Sequence, residues 1–185
     1  RETFFIINSK SFSTEETLEN LRFVKNFLDS EGLDLNDHAV AVTSFPEKAA
    51  EAGFEENAIF EVPEGVGGRF SIWSHFGLGL VVSLGLDSYT QLLAGAYKMD
   101  KHFLEEELDF NLPYILGLTR IWNRNILNLQ SLAIVPYEIG LKYFPSWFQQ
   151  VEMESNGKSF DALGNNLELP AAPLVFGEIG TESQH

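Results

Sequence analysis

The run Phe4-Phe5-Ile6-Ile7 constrains the fold of this chain more than any other feature. Four consecutive apolar residues without alternation fit a strand covered on both faces, and such strands belong to parallel sheets with helices above and below. A helix is expected next. Ser13-Thr14-Glu15-Glu16 has the form of a capping box, and Leu18, Leu21, Val24 and Leu28 recur at helical spacing before an end near Gly32. His38 to Ser44 reads as a second strand, Pro46 to Gly53 as a short helix and Ala58 to Val62 as a third strand. This order implies right-handed crossovers, and the fold class is α/β, a three-layer open parallel sheet with flanking helices.

After Arg69 the texture shifts toward longer helices. Ser71 to Leu86 reads as one helix, in which the nearly apolar run Phe76 to Leu86 is expected to be buried. At eleven residues that run is too short to span a bilayer. A second helix follows an Asp87 cap to about Leu104, and a third spans Pro113 to about Leu127. Ser131 to Pro136 reads as a strand, Glu138 to Glu154 as a helix interrupted or restarted near Pro145, and Pro173 to Phe176 as a last strand. The change of texture divides the chain into two α/β parts, 1–75 and 76–185, with the boundary in the stretch 70–88.

Charge and composition narrow the function. Twelve Lys and Arg against 27 Asp and Glu give a net charge of −15, which argues against nucleic acid and anionic membrane surfaces as partners. An anionic ligand therefore needs a local positive site. The absence of Cys excludes disulfides, thiol catalysis and Cys-type metal sites, and fits cytoplasmic residence. No His and carboxylate cluster stands at metal-ligand spacing, so no metal is expected. His38, His75 and His102 read as structural or surface residues.

Four places carry candidate chemistry. Ser9-Lys10-Ser11-Phe12-Ser13-Thr14 sets four hydroxyls and an ammonium between a buried strand and a helix N-terminus, where backbone N–H groups and the helix dipole favour a phosphate group. Ordinary capping by Ser13 accounts for one hydroxyl but not four. Gly65-Val66-Gly67-Gly68-Arg69 follows the third strand, where open α/β sheets bind ligands; the alternative is a flexible turn with a solvated Arg. Its spacing is not that of a nucleotide fingerprint. Glu154, near a helix end stopped by Asn156 and Gly157, sits where the dipole disfavours a carboxylate, so it is either a solvated surface residue or a base. His185 is suited to proton transfer, or is a solvated terminus.

Taken together, these residues resemble the glucose-6-phosphate isomerase (phosphoglucose isomerase) family. The matching stretches are Ile7 to Thr17, Val66-Gly-Gly-Arg-Phe-Ser-Ile-Trp-Ser74, Gln91 to Phe103 and Met153-Glu-Ser-Asn-Gly-Lys158, in the family's order and across essentially the whole chain. The resemblance implies sugar-isomerase (SIS) domains, a sugar-phosphate substrate, aldose–ketose isomerisation in glycolysis and gluconeogenesis, no cofactor, and a homodimer. It implies that Ser9, Lys10, Ser11 and Thr14 hold the phosphate, and that Gly68 and Arg69 lie beside the reacting carbons, with Arg69 stabilising negative charge. Glu154 then moves a proton between C2 and C1 through a cis-enediol, Gln150 contacts substrate, and His185 opens the sugar ring from the other subunit of the dimer.

The chain departs from the family pattern in places. Ser11 replaces a common Thr and keeps the hydroxyl, while Glu182-Ser183 stands where Asn-Gly is usual. The family's first glycine-rich sugar loop precedes the matched region, and its C-terminal Lys and Gln follow it. The chain is accordingly expected to be the back half of one SIS domain and the front half of the next, inactive by itself, with a silent sugar-phosphate-binding module as the alternative reading.

Overall fold

Residues 3–184 are described by a computed structural model. The chain divides into two compact units, Arg1–Ala96 and Tyr97–His185.

In the first unit the apolar run forms strand β1 (Phe5–Asn8), followed by helix α1 (Glu15–Glu31), the short helix α2 (Leu35–His38), strand β2 (Ala39–Thr43), helix α3 (Pro46–Glu51) and strand β3 (Ile59–Glu61). The strands lie in the order β1-β2-β3, all parallel, with Phe5 opposite Ala39 and Ala41 opposite Ile59. Central β2 is almost entirely buried, and its small side chains at Ala39 and Ala41 let helices approach the sheet closely. Leu21, Val24 and Leu28 form the buried stripe of α1, as the spacing predicts. Gly32, in the left-handed conformation at φ 69°, ends the helix, and its N–H donates to Asp29 O while that of Leu33 donates to Leu28 O.

The start of α1 differs from the capping box. Thr14 is the N-cap residue and its hydroxyl makes no capping bond, while the Ser13 hydroxyl donates to Ser11 Oγ at 2.9 Å. The cause lies in Phe12. Its backbone is left-handed at φ 46°, its side chain is 3% exposed, and its ring packs edge-on against Phe54 at 6.1 Å. Burial of the ring outweighs the strain of a bulky residue at positive φ, and it turns the following hydroxyls away from capping geometry.

The helix expected over Ser71–Leu86 is broken into 3₁₀ turns at Gly68–Trp73 and His75–Gly77, followed by α4 (Leu78–Leu84). Ser71 and Ser74 explain the break. Their hydroxyls donate to Gly68 O and Ser71 O, and Ser74 Oγ also accepts from Phe76 N, so the side chains compete for the backbone groups of a regular helix. Gly85, at φ 83°, separates α4 from α5 (Leu86–Glu105). The expectation of burial is also corrected, since Val82 is 71% and Leu84 62% exposed. An apolar run reports affinity for a covering layer, and within this unit only part of that layer is supplied.

The second unit contains α6 (Leu112–Ile121), a π turn (Trp122–Ile126), strand β4 (Ser131–Ala133), a 3₁₀ turn (Ile139–Leu141), helix α7 (Phe144–Gln149), a second π turn (Gln150–Glu154), strand β5 (Leu174–Phe176) and helix α8 (Gly180–Ser183). Asn111 caps α6 by accepting from Tyr114 N, and Pro113 occupies its first turn. β4 and β5 pair in parallel. Pro145 lies in the first turn of α7, so it begins that helix, and the regular helix expected from Glu138 does not form ahead of it. Among the described residues no helix is long and apolar enough to cross a membrane.

Candidate active site

The first group of candidate residues follows β1 at the carboxyl edge of the three-stranded sheet. Ser9 is buried, and its N–H donates to Val42 O at 3.0 Å. Lys10 O accepts from both Ser44 N and the Thr43 hydroxyl at 3.0 Å, and Thr43 Oγ1 in turn accepts from Phe45 N. The backbone of Ser9 and Lys10 is thus held from the neighbouring strand. Lys48 Nζ donates to Ser11 O at 3.1 Å and lies 4.6 Å from the centre of the Phe45 ring. Lys10 Nζ donates to Glu64 O at 2.7 Å, tying the loop to the segment after β3 and leaving two of its three N–H groups for other acceptors.

This arrangement presents hydroxyls and two ammonium groups at the start of a seventeen-residue helix. The helix dipole and its first N–H groups favour an anion there. Capping does not consume the Thr14 hydroxyl, and the Ser44 hydroxyl is buried without a protein partner. Thr43, Ser44 and Lys48 escape sequence reasoning. Their signal was their place in and just after a buried strand at the sheet's carboxyl edge.

Gly68 and Arg69 also follow a strand at that edge, in the 3₁₀ turn Gly68–Trp73. A Cβ at Gly68 would meet nothing within 4 Å, so open space surrounds it, and Arg69 is half-buried. His75 Nδ1 lies 2.5 Å from Glu61 O and its ring packs edge-on against Phe60, a structural placement. His102 is also engaged structurally, its Nε2 accepting from Leu112 N.

Gln150 and Glu154 belong to the second unit, at the two ends of the π turn Gln150–Glu154. A wider turn of this kind often marks a functional position in a helix. It is anchored on β5 through one residue: Gln149 Nε2 donates to Val175 O at 3.1 Å, and Val175 N donates to Met153 Sδ at 3.2 Å. Glu154 is exposed. The buried carboxylate of the segment is Glu152, 2% exposed, which pairs with Arg120 and accepts from Asn156 Nδ2 at 3.2 Å.

The stop after Glu154 differs from expectation. Neither Asn156 nor Gly157 is left-handed. Gly157 is required for space, since a Cβ there would lie 2.0 Å from Met153 O. His185 lies outside the described residues. Among the described residues, no group of three or more His, Asp or Glu gathers to hold a metal.

The fold and these residues define a mixed α/β protein whose first parallel sheet carries a hydroxyl- and lysine-lined loop at its carboxyl edge. Comparison with known proteins makes the assignment specific. The chain belongs to the phosphoglucose isomerase family, whose model matches residues 1–185. It is 44% identical to glucose-6-phosphate isomerase 1 of Colwellia psychrerythraea over 187 residues, covering 100% of this chain and 34% of that protein. Glucose-6-phosphate isomerase of Shewanella pealeana is 42% identical, with 99% and 34% covered. The crystal structure of a glucose-6-phosphate isomerase from Chlamydia trachomatis superposes with a TM-score of 0.85 at 34% identity, covering all of this chain and 36% of that one. A hypothetical protein from Thermus thermophilus gives a TM-score of 0.80 at 31% identity, covering all of this chain and 43% of the other. The chain thus spans about a third of the length of the curated relatives it matches.

Proposed function

We propose that the full-length protein to which this chain corresponds interconverts glucose 6-phosphate and fructose 6-phosphate, and that the 185-residue chain by itself does not turn over. The observation that carries this reading is the loop Ser9 to Thr14, with uncommitted hydroxyls and two ammonium groups at the head of α1, in a chain of this family. Ser9, Lys10, Ser11 and Thr14 hold the phosphate. Glu154 takes the proton from C2 of the open-chain aldose, the electron pair forms a cis-enediolate with its charge on the C1 oxygen, the hydroxyl proton passes from the C2 oxygen to the C1 oxygen, and Glu154 returns its proton to C1. Substrate and product are isomers, so the step needs no external oxidant or reductant. Arg69 stabilises the charge on the enediolate oxygen, with Gly68 beside the reacting carbons, and Gln150 contacts the sugar. His185 acts in ring opening.

In this reading a general base supplies roughly 10²- to 10⁴-fold and preorganised charge is the larger effect. The two parts of the chain belong to SIS-type domains divided near residue 75, and the full-length protein is a cytoplasmic homodimer. Replacing Lys10 and Ser9 together by Ala in the full-length protein is expected to raise the KM for sugar phosphate by roughly tenfold or more, because a charged hydrogen bond is worth about 1.5–3 kcal/mol. An unchanged KM for fructose 6-phosphate overturns the phosphate assignment.

A further inference from the structure

The second unit gathers positive charge at a place the proposed reaction does not use. A cleft of about 420 Å³ there is lined by Arg120, Arg124 and Lys158 together with Asn125 and Asn156. Arg120 belongs to α6, Arg124 to the π turn that continues it, and Lys158 to the loop that follows the turn at residues 155–156. We infer that this cleft binds a phosphoryl group, as inorganic phosphate or a small phosphate monoester, at a site separate from the loop after β1.

Charge balance carries the inference. Two guanidinium groups at i, i+4 on a helix repel each other, and the ammonium of Lys158 adds a third cation. The one acidic residue lining the cleft is Glu152, which is buried and already engaged with Arg120 on one oxygen and with Asn156 on the other. The cleft is therefore doubly positive in a chain whose net charge is −15. Gathering uncompensated cations costs free energy unless an anion completes the set.

The donors are also oriented. Glu152 fixes the guanidinium of Arg120, and Arg124 Nε donates to Ala172 O at 3.3 Å, which leaves its two terminal nitrogens for a ligand. Planar guanidinium groups fixed in this way suit the oxygens of a phosphate. The side chain of Lys158 is exposed and makes no hydrogen bond or ion pair among the described residues, and so supplies a movable third donor. A dianion matches the charge of the cleft.

The test is calorimetric titration of the full-length protein with inorganic phosphate, and separately with glycerol 3-phosphate. Lys10→Ala removes the loop after β1 from the measurement. In that background phosphate is expected to bind at about one site per chain, and Arg124→Gln with Lys158→Gln is expected to weaken it roughly tenfold or more. Lys158→Gln alone, at an exposed position, keeps the test decisive should the double variant fold poorly; it should weaken binding severalfold. A preference for glycerol 3-phosphate over phosphate identifies a monoester as the ligand, and equal affinity identifies the free ion. Loss of all binding in Lys10→Ala, or binding unchanged by Lys158→Gln and the double variant, overturns the inference. Should the loop after β1 itself bind no phosphate, Lys10→Ala will match wild type while the cleft variants still lose affinity, so the two readings fail separately.

Discussion

The loop after β1 and the π turn at Gln150–Glu154 hold candidate residues in opposite ways. The loop rests on an apolar core: Phe12 is driven into the cluster of Ile7, Leu21, Ala49 and Phe54, and strand β2 grips the backbone on either side of Lys10. The π turn has little such support. Among the described residues, Val175 and Pro145 are the two buried aliphatic side chains of the second unit. There the backbone is tied by polar side chains, Gln149 to Val175, Arg124 to Ala172 and Asn125 to Pro170, and by the Glu152 and Arg120 pair. Non-directional burial gives one site its rigidity, whereas the other depends on directional bonds that each matter singly.

Two substitutions in the first unit should have the largest effects. Phe12→Ala removes a buried ring and is expected to cost about 3–5 kcal/mol, with phosphate affinity lowered as the loop loses its anchor. Leu28→Ala, in α1 and 2% exposed, is expected to cost about 2–5 kcal/mol while leaving phosphate affinity within severalfold. Denaturant unfolding and phosphate titration of the full-length protein check both. Equal losses of affinity would break the claim that Phe12, and not general core stability, shapes the loop.

The comparison is sharpened in the second unit by a double-mutant cycle. Arg120→Ala strands a buried carboxylate and is expected to cost about 3 kcal/mol, at the low end for a broken buried pair because Arg120 is partly exposed. Glu152→Gln alongside it should recover a substantial part, since a neutral amide is less costly to bury than an unpaired charge. Additive losses in the cycle would show that the pair does not hold the turn.

Asp161 offers the smallest test. Its carboxylate accepts from the Asn165 side chain, then from backbone N–H groups of Asn165 and Leu163, and these bonds hold its pKa below the usual carboxylate value. A depressed folded value stabilises the native state above the unfolded value of about 3.9 and is lost as pH falls through the folded one. Asp161→Asn should therefore lower the thermal midpoint slightly at neutral pH, and the difference should vanish in strong acid. A difference independent of pH would contradict the hydrogen-bond assignment.

How much of this was legible in the sequence follows from the same contrast. The three parallel strands and α1 were legible because burial on both faces writes continuous apolar runs and one-sided burial writes a 3.6-residue period. The loop after β1 was singled out by its hydroxyls, its ammonium and its position, and Gly32 was legible from its place at the helix end. The geometry of Phe12 was not, because its left-handed backbone is imposed by a core assembled from distant residues. Neither π turn has a periodic signature. Glu152 was overlooked beside Glu154 because its burial depends on Arg120, which no local pattern joins to it. Gly157 was read as a left-handed stop, whereas the close approach of Met153 O is what excludes a side chain there.

The most direct test of the proposed chemistry is the turnover of fructose 6-phosphate by the full-length protein with Glu154 replaced by Gln. The proposed role as base predicts a kcat lowered by roughly 10²-fold or more, with KM changed by no more than severalfold, since the amide keeps the shape of the side chain but cannot accept the C2 proton. A variant that retains its kcat would contradict the assignment of Glu154 as the base.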